Sequence, residues 1–481
     1  MSEQTRITPR CEEYSRWYLD VIAAARLASY SDVPGCMIIE PNGCALWERV
    51  TDIFDARIKA TGHRNVKYPA LIPLSLLQRE TEHVEGFAPE FVTIHSLNGS
   101  KLEDPLVLRP TSETIMYADF AKKVKAASDL PIKINQWCNV WRAERRTLPF
   151  LRTFEFYWQE GHTAHASETE ARAEVMDMLQ EYRTFAEGTM AIPCILGRKT
   201  PGERFAGAVD TFSVETMMQN GKALQSATSH YLGQNFARAF GIKYSYGVGE
   251  SEFAFQTSWG MSTRILGALI MSHSDDKGLV LPPRIAPVQA AIMLIVDKKT
   301  SSDERRDGFL ASVRRQLDNA HISYVLDATD RKLGLKQYDW EKQGIPLRLV
   351  VGMSEIERDQ VTIIRRDTSA KTTVPLDDLG SAAALQLAVM QADLFAAAQE
   401  RLQAKSRVCA TLEEIRAAFK EGNFFVHTGW SGTKDDEKGV KEAGDGVTLR
   451  CIPLVRTAPY VDKCFLTGKP AEHQVILAKA Y

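Results

Sequence analysis

The sequence predicts a multidomain α/β (α+β) fold. An antiparallel sheet with flanking helices comes first, then a doubly wound α/β domain, then a small α/β module. Three observations carry this. The 481 residues suffice for roughly two to four domains. From about 92 to 287, β-rich runs at 105–109, 131–142, 152–162, 208–215, 253–260 and 279–281 alternate with helical stretches. They lack regular βαβ spacing, which favours an antiparallel sheet. From 288 to about 400, apolar strands and amphipathic helices alternate regularly, which favours a doubly wound domain.

In chain order, residues 1–30 read as helical, with Tyr14, Trp17, Tyr18, Val21 and Ile22 on one recurring apolar face. Pro34-Gly35 breaks the chain, CMIIE reads as a strand, and Asn42-Gly43 marks a turn. Leu46, Val50, Ile53, Phe54, Arg57 and Ile58 predict an amphipathic helix over 45–60, closed by Thr61-Gly62. KYPALIP then reads as a strand. Met176, Leu179, Tyr182, Arg183 and Ala186 predict a helix over 167–190. Beyond 288, VQAAIMLIVD, ISYVLDA, PLRLVVG and VTIIRRD read as strands. SDERRDGFLASVRRQLDNAH reads as a helix with a basic face, and 381–406 as a long Ala/Leu helix. Residues 401–481 form the smaller module.

Composition is ordinary for a globular protein, at 44% hydrophobic and 25% charged residues. A net charge of −2 excludes little, since a basic patch on one domain still suits nucleic acid. The eight cysteines include no CxxC pair, so reduced thiols are expected. There is no uninterrupted apolar run of 18 residues and the N-terminus MSEQTRITPR is polar, so a cytoplasmic protein without membrane association is expected.

Chemistry concentrates in WRAERRTLPFLRTFEFYWQEGH, residues 141–162. Arg142, Arg145, Arg146 and Arg152 surround Glu144, Glu155 and Glu160, and FEFYWQE alternates as a half-buried strand does. Planar guanidinium forks held beside carboxylates suit a site that grips phosphates together with a metal or an ammonium group. The plainer alternative is an exposed hairpin with surface ion pairs. Two further stretches stand out, RPTSETIMY (109–117) and GLVLPPRIAP (278–287).

With PIKINQWCNVWR (131–142), FLRTFEF, WQEGHTAH and TSHYLGQNF (228–236), these stretches resemble the signatures of class II aminoacyl-tRNA synthetases. More narrowly, they resemble the prolyl-tRNA synthetase family of archaeal/eukaryotic-like type, from about Arg16 to Tyr481. The resemblance implies a class II catalytic domain over 1–287, with motif 1 at about 41–73, motif 2 at about 137–162 and motif 3 at about 278–287. It implies an anticodon-binding domain over 288–400 and a C-terminal domain over 401–481. The implied activity is ATP- and Mg²⁺-dependent activation of L-proline to prolyl-adenylate, then transfer to tRNA(Pro), by a homodimer built through motif 1.

By the same resemblance, Arg142 and Arg284 are the catalytic arginines, stabilising charge on the phosphates without covalent chemistry. Glu144, Arg152, Thr153, Phe156, Gln225, Thr228 and Arg264 join them in holding ATP, with Phe156 under the adenine. Thr111 and Glu113 receive the proline ammonium, while Trp158, Glu160, His162, Phe205, His230 and Ser262 form and support the ring pocket. Both histidines are read as supports rather than acid–base catalysts. Lys336, Trp340, Glu341, Arg348 and Arg365 are expected at the anticodon. No dedicated Mg²⁺ cage is visible in the sequence.

Several positions depart from the family pattern. Ala227 replaces the glycine before TSH, and Asp210 stands where an uncharged residue is usual. The four zinc-binding cysteines of the C-terminal module are reduced to Cys464 in CFLTG, with none in GWSGTKDDEKG, so no structural zinc is expected. Tyr481 is expected to reach back towards the catalytic domain. The roughly 120 residues between motifs 2 and 3 leave no room for a large editing insertion, so no editing in cis is expected and discrimination against alanine should be modest. A specialised paralogue, activating proline for another acceptor or conferring inhibitor resistance, and a non-catalytic tRNA-binding relative remain open alternatives.

Overall fold

The structure is a computed structural model describing residues 6–79, 91–144, 146–247, 249–295 and 304–481. Arg145, the ends of VQAAIMLIVD and SDERRDG that fall within 296–303, and residues 1–5 lie outside the described residues.

An eleven-stranded sheet organises the molecule. Its catalytic portion runs, in spatial order, through Cys194–Arg198, Asp210–Met217, Ala223–Gly233, Phe255–Ser262, Glu155–His165, Ile132–Trp141 and Arg64–Asn65. Neighbours pair antiparallel except the short Arg64–Asn65 edge. One face is closed by the helices Tyr14–Ala24, Pro41–Ala60, Glu168–Gly188 and Arg264–His273. They share one core with the sheet, in which Trp17, Phe54, Tyr182 and Trp259 are fully buried. Ser167 caps the 168–188 helix by accepting from Glu170 N, as expected of a helix opening on Ser-x-x-Glu. Gly161, between two site residues, has no alternative: a Cβ there would lie 2.0 Å from the Trp259 ring.

Strand Val447–Pro453 of the C-terminal module pairs with Cys194–Arg198, so the module extends the catalytic sheet instead of standing apart from it. Residues 288–400 form a separate five-stranded sheet, ordered Tyr324–Asp327, Ala290–Leu294, Leu347–Val351, Gln360–Arg365, Lys371–Pro375. The first three strands are parallel and the last two antiparallel. Helix Leu379–Ala404 covers this sheet. The stretch 376–404 is long and apolar enough by length and composition to cross a membrane. Here Ala383 and Leu387 pack into the domain core, Met390 and Leu394 pack against Ala191 and Val280, and Arg401 donates to Ser272 O at 2.8 Å.

Local differences from the sequence reading have physical causes. The first helix stops at Ala24, and Ala28–Tyr30 pairs with Met37–Ile39 as a hairpin. Asn42-Gly43 is no turn but the start of helix Pro41–Ala60: Pro41 opens it, Asn42 Nδ2 donates to Ala25 O, and a Cβ on Gly43 would sit 2.1 Å from Leu27 O. KYPALIP is a strand only at Leu71–Pro73. Residues 279–281 form no strand, because Leu279 N donates to Lys342 O of the following domain.

Candidate active site

On the open face of the central sheet lie two adjoining cavities of about 230 Å³ each, which share Arg142, Phe156, Ser262 and Arg264. Trp158, Phe205, Thr211, Gln225, Thr228 and His230 line the first, and Glu144, Arg152 and Thr153 the second.

Arg142 follows the strand Ile132–Trp141. Its main-chain N donates to Phe154 O at 2.9 Å and its Nε to Pro110 O at 3.1 Å. The guanidinium carbon lies 5.4 Å from the Phe156 ring centroid and 5.5 Å from that of Trp158. Arg264 opens helix Arg264–His273 directly after strand Phe255–Ser262, with Ser262 Oγ accepting from its N at 3.2 Å. Its Nε donates to Leu151 O at 3.1 Å. Burial first, then the charges of Arg152, Arg142 and Arg450, push its pKa down to about 10, so it stays cationic at neutral pH. Cations pressed together at a helix N-terminus, beside a flat aromatic, form a site for a polyanion carrying a planar base.

Behind Trp158 lies a buried polar network. The Glu160 carboxylate accepts from Ser112 Oγ at 2.5 Å, Gln136 Nε2 at 3.0 Å and Ser112 N at 3.2 Å, with His162 Nε2 at 3.0 Å. The antiparallel register sets Gln136 opposite Glu160. His162 Nδ1 meets the Tyr117 hydroxyl at 3.2 Å. Burial alone would raise the Glu160 carboxyl, but bonds from His162, Ser112 and Gln136 outweigh it and hold it below the usual range. Burial opposes charge on His162, yet the Glu160 bond and the Glu113 and Glu160 charges raise its pKa. Thr111 donates through its hydroxyl to Glu113. Glu113, Glu160 and His162 bring their polar atoms within 4.8 Å of one another. His230 differs: it stacks on Phe205 at 4.5 Å, its Nδ1 meets Thr211 Oγ1 at 3.0 Å, and burial, then the charge of His162, hold its pKa at about 3, so it is neutral.

The structure thus gathers Arg142, Glu144, Arg152, Thr153, Phe156, Trp158, Phe205, Gln225, Thr228, His230, Ser262 and Arg264 around the two cavities. It places Thr111, Glu113, Glu160 and His162 in the buried layer behind them. It does not bring Arg284 there. That side chain is exposed, donates from Nη1 to Gly188 O at 2.9 Å, and lines neither cavity, because 278–287 already runs out towards the next domain. The arginine opposite Arg142 is Arg264, carried by the preceding strand–helix junction.

Of the five residues expected at the anticodon, Lys336, Arg348 and Arg365 are buried in their own domain, and half-buried Trp340 and Glu341 stand at its border with the catalytic domain. Lys336 is fully buried and donates to Leu294 O at 2.7 Å and Asp327 O at 3.0 Å. Arg348 is buried and donates to Gln337 O and Arg365 O. Arg365 is bound by Asp367 and Asp393, Trp340 Nε1 by Asp327 at 3.0 Å, and Glu341 lies 3.5 Å from Arg348. Asp210 is engaged by Arg172 at 3.1 Å and Arg198 at 3.8 Å and lines neither cavity, whereas Ala227 does line the first. Tyr481 packs back on the catalytic sheet, its N donating to Ala223 O and its hydroxyl accepting from Asn220 Nδ2 at 2.6 Å. Glu203 and Arg204, which the sequence reading missed, also line the first cavity. They stand in an irregular polar loop whose only signal is TPGER.

Comparison with known proteins bears on the whole chain. Residues 94–273 match the tRNA synthetase class II core domain (G, H, P, S and T), 289–384 the anticodon binding domain, and 412–481 the prolyl-tRNA synthetase C-terminal domain. The proline–tRNA ligase of Chloroherpeton thalassium is 45% identical over 486 residues, covering 99% of both chains. That of Symbiobacterium thermophilum is 46% identical over 485 residues, covering 99% of this chain and 98% of its own. Among solved structures, prolyl-tRNA synthetase from Cryptosporidium parvum complexed with halofuginone and AMPPNP superposes with a TM-score of 0.94 at 35% identity, covering 99% of this chain and all of that one.

Proposed function

We infer that this chain, which belongs to the prolyl-tRNA synthetase family of class II aminoacyl-tRNA synthetases, is a proline–tRNA ligase. The observation that carries the reading is the pair of adjoining cavities joined by Arg142, Phe156 and Arg264. The first cavity suits a small apolar amino acid together with the sheet-facing side of a nucleotide, the second suits the rest of the nucleotide, and the shared groups stand where the two must react.

In this reading the adenine lies against Phe156, with the Arg264 guanidinium beside it. Gln225 and Thr228 hold the nucleotide from the sheet. Arg142 spans both substrates and draws the proline carboxylate onto the α-phosphate, then stabilises the charge that grows as pyrophosphate leaves. Arg152 and Glu144, 3.6 Å apart, flank the second cavity. Glu144 fits one carboxylate position for a Mg²⁺ carried in with the phosphates, which would neutralise them. Trp158, Phe205 and His230 wall the proline ring, and neutral His230 adds no charge there. Thr111 and Glu113 take the proline ammonium, and Glu160 with His162 hold Trp158's strand in place. Arg284 has no part in the chemistry. The retained arginines favour this reading over a non-catalytic relative.

Division at 287 and 400 is part of the proposal, supported at 287 by the separate cores on either side, while helix Leu379–Ala404 runs through 400. A homodimer through the 41–73 region is part of the proposal, supported by exposed Leu71 within it and by exposed Tyr30 and Ile38 in the hairpin that precedes it. The absence of editing in cis and of a structural zinc belongs to it too, as does a cytoplasmic location. ATP–pyrophosphate exchange without tRNA, run with proline, alanine, cysteine and no amino acid, tests the reading. Exchange driven by proline supports it, and charging of tRNA(Pro) identifies the acceptor. Exchange with none of them would overturn it.

A further inference from the structure

We infer that Arg450, supplied by the C-terminal module, is a positioning residue for the first cavity, clamping buried Glu215 together with Lys199 beside the strand irregularity that aims Gln225 and its neighbours into that cavity. The inference rests on the ligase reading for its substrates, but not for its geometry.

Three charged side chains meet where the module's strand Val447–Pro453 joins the catalytic sheet. Arg450 donates from Nε at 3.1 Å and Nη2 at 2.9 Å to Glu215 Oε2. Lys199 Nζ donates at 2.7 Å to Glu215 Oε1 and at 2.7 Å to Arg450 O. Ser213 Oγ adds a bond to Oε1 at 2.9 Å. All three are buried, Glu215 to 1% exposure. Burial opposes charge on Glu215, but the Arg450 and Lys199 charges outweigh it and hold the carboxyl at about 2. Buried ion clusters repay their desolvation poorly, so stability alone is a weak reason for one.

Its location supplies a better reason. The pairing of Asp210–Met217 with Ala223–Gly233 shifts register between Val214 and Glu215, which face Ala227 and Gln225, leaving Ser226 as the extra residue. Such a bulge re-aims side chains. Here Gln225, Ser226 and Ala227 all line the first cavity. Thr216 Oγ1 meets Ser226 Oγ at 2.9 Å and closes the bulge from the same strand that carries Glu215. The module's approach is tight, since a Cβ on Gly197 would lie 2.4 Å from Cys451. The Arg450 charge also acts on Arg264 and Glu203, both lining the cavity.

The test uses the full chain with R450M, R450K and the neutral triple K199M/E215Q/R450Q, which removes all three charges of the cluster. Proline and AMPPNP affinities are measured by calorimetry, exchange kinetics by KM and kcat, and folding by Tm. R450M is expected to weaken AMPPNP binding and raise the KM for ATP by about tenfold with kcat changed far less, and R450K to recover most of the loss because its ammonium still meets Glu215. Should R450M fail to fold, the other two variants decide: the neutral triple, which leaves no charge of the cluster buried without its partner, should fold yet still bind AMPPNP weakly. Wild-type affinities and KM in R450M or the neutral triple, with only Tm lowered, would overturn the proposal and leave a structural clamp. Absence of proline-driven exchange in the wild type would instead refute the ligase reading, while the AMPPNP affinity ratio between variant and wild type still decides the clamp.

Discussion

Glu160→Gln removes one charge from a fully buried network while keeping its shape. The two carboxylate oxygens divide four partners: Ser112 Oγ and Gln136 Nε2 on Oε1, Ser112 N and His162 Nε2 on Oε2. A glutamine keeps one carbonyl oxygen for the first pair, whose bonds fall from charge-assisted to neutral strength. Its amide then faces Ser112 N and His162. His162, without its carboxylate, can become neutral and accept from that amide, with Nδ1–H turned to Tyr117, so one bond is recovered. Ser112 N is left facing a donor. Taking about 1 kcal/mol for the weakened pair and about 1–3 kcal/mol for the stranded amide, the expected loss is about 2–4 kcal/mol. The loss depends on pH. The raised His162 pKa contributes stability fully present below the unfolded value of about 6.5 and lost as pH rises through the folded one. The lowered Glu160 pKa contributes stability present above about 4.5 and lost as pH falls. The gap between wild type and E160Q should therefore be widest between about pH 4.5 and 6.5 and narrow above that. Thermal unfolding across pH 5 to 9 measures it, and exchange kinetics should show proline KM rising while ATP KM holds. A gap that is independent of pH, or a proline KM that does not move, refutes the reasoning.

Other consequences separate neighbouring residues. Arg264→Ala should lower exchange by about a hundredfold or more, whereas Arg284→Ala, which loses a bond to Gly188 O, should stay within about twofold in the same assay. Lys336→Met should leave Asp327 without its buried ammonium and cost about 3 kcal/mol by chemical denaturation, while tRNA affinity of the folded fraction, measured by filter binding, stays unchanged. Metal analysis of purified protein should find zinc well below one atom per chain, and chelation should leave Tm unchanged, because among the described thiols Cys451 packs with Ile195 and Met217, apart from the cluster holding Cys464.

Much of the fold was legible because burial leaves a period in the chain. The 168–188 helix repeats at helical spacing and is readable to within a few residues, as are the 155–165 and 132–141 strands from their apolar and aromatic content, although the first is buried on both faces from Gln159 onward. Signals that fail are local ones overridden by distant partners. Asn42-Gly43 has the composition of a turn, but Gly43 is there so that Leu27's carbonyl can approach the helix. Residues 279–281 are apolar enough for a strand, yet Leu279 N donates to the end of another domain's helix and Val280 N to Ser274 Oγ.

The two arginines show the same limit in the site itself. Both Arg264 and Arg284 follow β-rich runs, and in one dimension either can serve as the second phosphate-binding group. What separates them is direction. Helix Arg264–His273 starts at the cavity and ends at Ser272–Asp275, where Arg401 and Arg366 of the following domain bind it, so everything after it is already leaving the site. The basic residues of 336–365 invert the problem. Interleaved charge and aromatics look like a surface for bases, but Lys336, Arg348 and Arg365 each find a carbonyl or carboxylate inside the domain. Arginine and lysine stems pack as well as they reach, so a charge pattern alone cannot say which of the two a residue does. Partners brought from afar by the sheet register decide it.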